Sequence, residues 1–270
     1  MSVSASTIAK PNSGFLGSVF SSPIIGPIAA LILAGAFFST QTDRFLTGTN
    51  LSLIVQQVMV VGMLAIGQTL VILTAGIDLS NGAVMALGSV IMTSLAVDYG
   101  LNPLLAIMVG FLVCISFGML NGALVTLIRL PPFIVTLGTL NIAFALTRIY
   151  TTQTITGLPT LLTYLGNTFK IGNTAITYGS VLMVLIYVVV WFVLRTTPGG
   201  RYIYAVGDNP EAARLAGINT TRLLISVYAI AGLTYGIAGL LLAARTVVGD
   251  RQAGQDGHME GLTSVVLGGT

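Results

Sequence analysis

Long apolar stretches, almost free of charge, follow one another from residue 23 to residue 244 and decide what this chain can fold into. We read spans at Pro23–Thr40, Leu51–Ala75, Gly82–Val97, Asn102–Ile128, Pro132–Tyr150, Tyr178–Leu194 and Leu223–Ala244. A membrane-crossing helix needs roughly 17–25 apolar residues to bridge about 30 Å of hydrocarbon. Gly82–Val97 and Tyr178–Leu194 sit at or just under that limit, and the former reads as a half-span or a broken helix. Ser264–Leu267 is too short to cross. Charged residues make up 7% of the 270, where a soluble domain carries about 25%. Too few charges remain to build a wetted surface, so lipid must be the solvent for most of it. The expected fold is an all-α integral membrane protein. It is a polytopic helical bundle with about six to seven transmembrane helices, since helices satisfy their own backbone in lipid.

The remaining composition excludes several functions. The net charge of +3 comes from single, scattered basic residues, which is not a nucleic-acid footprint. Cys114 is the single cysteine and lies in an apolar run, so it forms no internal disulfide and reads as a small buried hydrophobe. His258 is the single histidine, which argues against a histidine metal site. Arg245, Asp250, Arg251, Asp256, His258 and Glu260 cluster after the final span without ligand spacing and read as a solvated tail. The lysines are Lys10 and Lys170 alone, and no G-x-x-x-x-G-K-[ST] occurs, so no nucleotide is expected to bind this chain. No cofactor is expected either.

The chain divides into three. Residues 1–22 form an N-terminal tail in which Phe15, Leu16, Val19 and Phe20 recur at helical spacing, predicting an interfacial helix. A cleaved signal peptide is the rival reading, against which the weakly basic flank and late apolar run argue. Residues 23–244 form the transmembrane domain. Residues 245–270 form a second tail. The loop 195–222 carries Arg195, Arg201, Arg214 and Arg222, which marks it as cytoplasmic. Alternate crossings then put Arg129 and Lys10 inside, and Arg44, Arg148 and Lys170 outside. Segment 151–177 reads as an external loop with a short helix at Leu158–Leu165.

The second half of the cytoplasmic loop is punctuated as a helix. Asn209 caps its start, Pro210 suits the first helical position, and Glu211 meets the positive end of the dipole. Arg214 can pair with Glu211, and Gly217 supplies a left-handed stop. About two turns cannot stand alone. This helix either packs on its own spans or enters a groove on a cytoplasmic partner.

Glu211-Ala212-Ala213, three residues, then Gly217 resembles the EAA–x3–G coupling motif of ABC import permeases. The run from Gly200-Arg201 to Gly217-Ile218 is similar to the ribose/xylose/fructose branch of that family. So are Gly76-Ile77-Asp78-Leu79-Ser80 with Gly82-Ala83, and Val265-Val266-Leu267-Gly268-Gly269-Thr270. The resemblance covers most of the chain from about residue 50 and is nearest to fructose import permeases. It implies a subunit of the bacterial inner membrane that moves a monosaccharide without being a catalyst. It implies a second, homodimeric permease subunit, a separate ATP-binding subunit and a periplasmic sugar-binding protein. Asn209, Pro210, Glu211, Ala212, Ala213, Arg214 and Gly217 would dock the ATP-binding subunit. The chain departs from the family in lacking I-x-L-P after Gly217 and in the segment Arg251–Gly261. The family also continues beyond the Gly-Gly-Thr at 268–270, so the 245–270 tail is short relative to it.

Candidate path residues are Gln68, Asp78, Asn121 and Asn141. An acid at mid-bilayer costs roughly 2.5–3.5 kcal/mol on insertion scales. Asp78 therefore reads as a turn residue, with Ser80 capping the helix that begins at Gly82, or as part of the substrate path. The three amides are expected to face the protein interior, bonding between helices or lining a sugar path. Gly118-x3-Gly122 and Gly232-x3-Gly236 permit close packing, within one subunit or across a dimer. The alternative function is an ion-coupled secondary transporter, for which Asp78 is the one candidate ion ligand. A membrane-embedded enzyme would need paired catalytic residues within the spans, which the sequence does not offer.

Overall fold

The computed structural model describes residues 25–172, 174–255 and 257–268. The helix expected within residues 1–22 lies outside them. Helix α1 covers Ile25–Gln41, α2 Gly48–Ile72, α3 Asn81–Val97, α4 Pro103–Leu127 and α5 Pro132–Tyr150. A short α6 (Thr160–Thr163) and a 3-10 turn (Tyr164–Gly166) lead to strands β1 (Thr168–Ile171) and β2 (Thr174–Thr177). Helices α7 (Tyr178–Thr196), α8 (Pro198–Asp208), α9 (Pro210–Leu215), α10 (Thr220–Thr246) and α11 (Gly257–Leu267) complete the chain. Among the described residues, α2, α4, α5, α7 and α10 are long and apolar enough to cross a membrane, and α1 and α3 are shorter apolar helices. At 17 residues each, these two reach about 25 Å at 1.5 Å per residue.

The bundle is built around α10, which packs on α4, α2 and α3. Its fit against α4 depends on the paired glycines. A Cβ on Gly118 would run into the Tyr228 carbonyl, and one on Gly232 into the Cys114 carbonyl. The two Gly-x3-Gly pairs thus bring helices together within this one chain. Met59, Met63, Val84, Cys114, Tyr228 and Leu241 fill the centre. Cys114 donates to the Val84 carbonyl. Helix α7 is the opposite case, with Val184, Leu185, Val188 and Phe192 all exposed on its outer surface.

Three contacts fix which loops share an end. A backbone bridge joins Ile155 to Gly249, so segment 151–177 lies with the segment after α10. The Thr136 hydroxyl donates to the Ile77 carbonyl at 3.2 Å, and a Cβ on Gly207 would strike the Leu73 carbonyl. The α2–α3 break, the start of α5 and helix α8 therefore lie at the opposite end.

Three expectations need correction. The 245–270 tail is not simply solvated: α11 packs along α2 and α3, with Val265 4% exposed. Its small residues allow this, since Gly257 faces Gly82 and Gly261 faces the Asn81 amide. Segment 151–177 has its short helix at Thr160–Thr163, and it also folds β1 against β2 in antiparallel register, Thr168 opposite Thr177. Ser80 occupies the N-cap position of α3 but makes no side-chain cap bond. Its hydroxyl is spent on Asp78 at 2.6 Å, a carboxylate being the stronger acceptor.

Candidate functional site

Helices α8 and α9 form a two-part elbow. Thr197 accepts the Gly200 amide at 3.2 Å and Pro198 follows it, a cap and first-turn proline that start α8. Ile203 and Val206 are buried on one side, while Tyr202 and Tyr204 are exposed. Sequence reasoning took residues 195–208 as loop. The Thr197-Pro198 pair and the Ile203/Val206 spacing were the available signals, masked by Gly199-Gly200.

Helix α9 then starts on Asn209, whose side chain accepts the Ala212 amide at 2.9 Å. Arg214 donates from Nε (3.1 Å) and Nη2 (3.0 Å) to Oε2 of Glu211. Gly217, at φ +89°, donates to the Arg214 carbonyl, and Ile218 donates to that of Ala213, both at 3.0 Å. That pair of bonds is the Schellman stop. Ala213 is the buried anchor at 4% exposure, and Leu215 projects outward at 81%. Nothing lies near the Cβ position of Gly217. Beside it a recess of about 480 Å³ opens between Tyr202, Ile218, Arg222 and Leu223.

The polar residues of the spans separate into two groups. Gln68, Asp78 and Asn121 are all buried and lie in adjoining hydrogen-bonded clusters. Oδ1 of Asp78 accepts from the Ser80 amide (2.8 Å) and hydroxyl. Asn121 Nδ2 donates to Ser80 Oγ at 3.0 Å. Tyr235 donates to Oδ2 of Asp78 at 3.3 Å, and Asn81 donates to Gln68 Oε1 at 3.3 Å. Among the described residues no ion pair reaches Asp78. Nε2 of Gln68, Oδ1 of Asn121 and the Tyr228 hydroxyl are buried without a protein partner, as in sites that hold internal water. None of the three candidates is among the residues lining the recess of about 480 Å³ at the elbow. Their geometry is that of a staple joining the α2–α3 break to α4 and α10.

Asn141 departs from expectation. It faces outward from α5, and its amide donates to the Leu137 carbonyl of its own helix at 2.8 Å. It stands midway along Pro132–Tyr150, so the polar group sits near mid-depth on an outer surface.

The end opposite the elbow carries a recess of about 510 Å³. Gln57, Arg245, Asp250, Gln252, Gln255 and Glu260 line it beside Val60, Leu64 and Met85. Sequence reasoning took the charges of this vestibule as one cluster after the final span and read them as a solvated tail; what it missed is the wall that Gln57, Val60 and Leu64 of α2 and Met85 of α3 bring against them.

Repeated membrane-length helices, a buried polar staple in the break between α2 and the shorter apolar α3, and a capped helical elbow at one end define a multi-pass membrane permease. A protein-family profile described as "Branched-chain amino acid transport system / permease component" matches residues 50–270. The chain belongs to that family and is a permease subunit of the bacterial ABC import class, not itself catalytic. It is 45% identical over 256 residues to the fructose import permease protein FrcC of Rhizobium meliloti, covering 92% of this chain and 71% of that one. It is 38% identical to the ribose import permease protein RbsC of Bacillus subtilis, over 91% of this chain and 76% of that one. For RbsC of Escherichia coli K12 the identity is 35%, over 90% and 76%. No solved structure matches significantly.

Proposed function

We propose that this subunit moves a monosaccharide of the fructose or ribose type into the bacterial cytoplasm, driven by a separate ATP-binding subunit. The observation that carries the sugar reading is the 45% identity, over nine-tenths of the chain, to a permease named for fructose import. The family description names branched-chain amino acids, whereas the relatives aligned along the chain are named for fructose and ribose. The sugar reading follows the relatives.

Helix α9 is the docking element for the ATP-binding subunit, through Asn209–Arg214 and Gly217. Its exposed Leu215 and its rigid caps on both ends support that role. Through Gly207 the elbow rests on the α2–α3 break at Leu73, so displacement of α9 is passed into the bundle as a rigid-body shift. The vestibule at the other end receives the sugar from a periplasmic binding protein, its amides and charges offering hydrogen-bond partners for hydroxyls. Asn141 lines the path between this subunit and a second copy.

An ion-gradient mechanism has weaker support. Asp78, its one candidate ligand, is buried at 1% exposure and already bonded to Ser80 and Tyr235. The test is uptake of labelled fructose and ribose by proteoliposomes containing this subunit, the ATP-binding subunit and the sugar-binding protein. Uptake that needs ATP inside and ignores ionophores is expected. Uptake abolished by an ionophore with ATP present would overturn the reading.

A further inference from the structure

The corner between α7 and α8 brings two arginines together with no acid between them. At Gly200 a Cβ would collide with the carbonyls of Val193 and Leu194, so α8 lies directly against the end of α7. This closeness sets Trp191, Leu194 and Arg195 of α7 against Arg201 and Tyr204 of α8. Together they surround a recess of about 440 Å³. The Arg195 guanidinium stands 5.3 Å from the centre of the Trp191 ring, a cation–π contact that holds its fork over the recess. Arg201 and Tyr204 lie three residues apart on one face of α8. Among the described residues the only ion pair is Glu211–Arg214, so both arginines lack a protein counter-charge.

The surroundings identify the missing partner. The wall of the recess continues into the outer surface of α7, where Val184, Leu185, Val188 and Phe192 are exposed. That surface faces hydrocarbon, and tryptophan and tyrosine at its end mark the interface with headgroups. Guanidinium groups match phosphate oxygens in a planar, paired geometry. Basic pockets on the cytoplasmic side of membrane helices take anionic headgroups.

We propose that this recess binds the phosphate of an anionic phospholipid in the leaflet on the side of α8, with its acyl chains lying along α7. The site is separate from α9 and from the sugar path. An acidic surface on the ATP-binding subunit is the competing occupant. The continuity of the recess with the hydrocarbon-facing side of α7 favours lipid.

Trp191 is the chain's single tryptophan and lines the recess, so its fluorescence reports occupancy directly. The full chain is reconstituted in phosphatidylcholine containing a minority of phosphatidylglycerol whose tails alone are brominated. Each basic residue near an anionic membrane contributes about a fivefold preference. Quenching is therefore expected to exceed the bulk fraction of brominated lipid by about fivefold or more. Arg195→Gln with Arg201→Gln should return it to the bulk fraction, whereas the paired Arg→Lys variant, which keeps the charges but not the planar fork, should keep only part of the excess. An unchanged far-ultraviolet circular dichroism spectrum and melting temperature in pure phosphatidylcholine show that each variant is folded. Quenching of the unaltered protein that only tracks the bulk fraction would overturn the proposal. So would relief of quenching by inorganic phosphate in the buffer, which would assign the recess to a free anion.

Discussion

The Tyr235 hydroxyl lies 3.3 Å from Oδ2 of Asp78 and ties the middle of α10 to the break between α2 and α3. Asp78 is 1% exposed and Tyr235 equally so. Each remaining bond to the carboxylate comes from Ser80, so Tyr235 is what holds the break to the central helix.

Tyr235→Phe should keep the packing and lose that bond. A typical intramolecular hydrogen bond contributes about 0.5–1.5 kcal/mol, and this long one belongs at the low end. Asp78→Ala should cost more, because it strands the Ser80 amide, the Ser80 hydroxyl and Tyr235 together. Thermal denaturation in detergent ranks them, with Asp78→Ala below Tyr235→Phe. Equal melting temperatures for both variants and the parent would show that the staple does not hold the break.

Gly207→Ala tests the route from the elbow into the bundle. The new Cβ would meet the Leu73 carbonyl and Thr74 Cα, backbone atoms that cannot turn aside. Uptake should fall at least about tenfold, as expected for more than 1.4 kcal/mol of misfit. Membrane insertion and ATP hydrolysis by the assembled complex should persist. Normal uptake would mean that force enters the bundle elsewhere.

Gly217 calls for a different logic. Space is open around it, but φ is +89°, so a bulky residue strains the backbone by about 1–2 kcal/mol without a clash. Gly217→Leu should insert normally and uncouple ATP hydrolysis from uptake. Full sugar-stimulated transport in this variant would argue against docking through α9.

The spans were legible because lipid demands uncharged length, and length can be read directly from residues. The α9 punctuation was legible too, since Asn209, Pro210 and Gly217 act locally. What could not be read was direction. In a membrane helix both faces are apolar, so the sequence of α5 does not reveal that Asn141 points outward. Ser80 was assigned to its own helix because the competing carboxylate of Asp78 is reached only once the break folds. Helix α11 was hidden because its packing depends on Gly257 and Gly261, which meet distant α3. Membership of the permease family was visible in short motifs around Asp78 and Glu211. The vestibule, assembled from α2, α10 and the 248–260 segment, was not.

Asn209→Ala and Glu211→Ala separate the fold of α9 from its contacts. Loss of the cap should destabilise the helix by about 1 kcal/mol. The Glu211–Arg214 pair is 75% and 62% exposed, and such pairs contribute little to stability. If only the shape of α9 matters, Asn209→Ala should reduce uptake several-fold and Glu211→Ala hardly at all. A larger loss for Glu211→Ala, measured in the same vesicles, would place its carboxylate in direct contact with the ATP-binding subunit.

Asn141 offers a test of where the path runs. Its Nδ2 is bonded to its own helix, but the residue is exposed at mid-span and no hydrogen bond from the described residues reaches its Oδ1, where hydrocarbon gives none. Water in a path between two subunits would supply one. Cys114 is the single native cysteine and is fully buried, so Asn141→Cys adds one exposed thiol to a silent background. A charged, membrane-impermeant maleimide should label it in the assembled transporter, and transported sugar should slow the labelling. A thiol that reacts only with a lipid-soluble maleimide would place Asn141 against the bilayer and move the path to another face of the bundle.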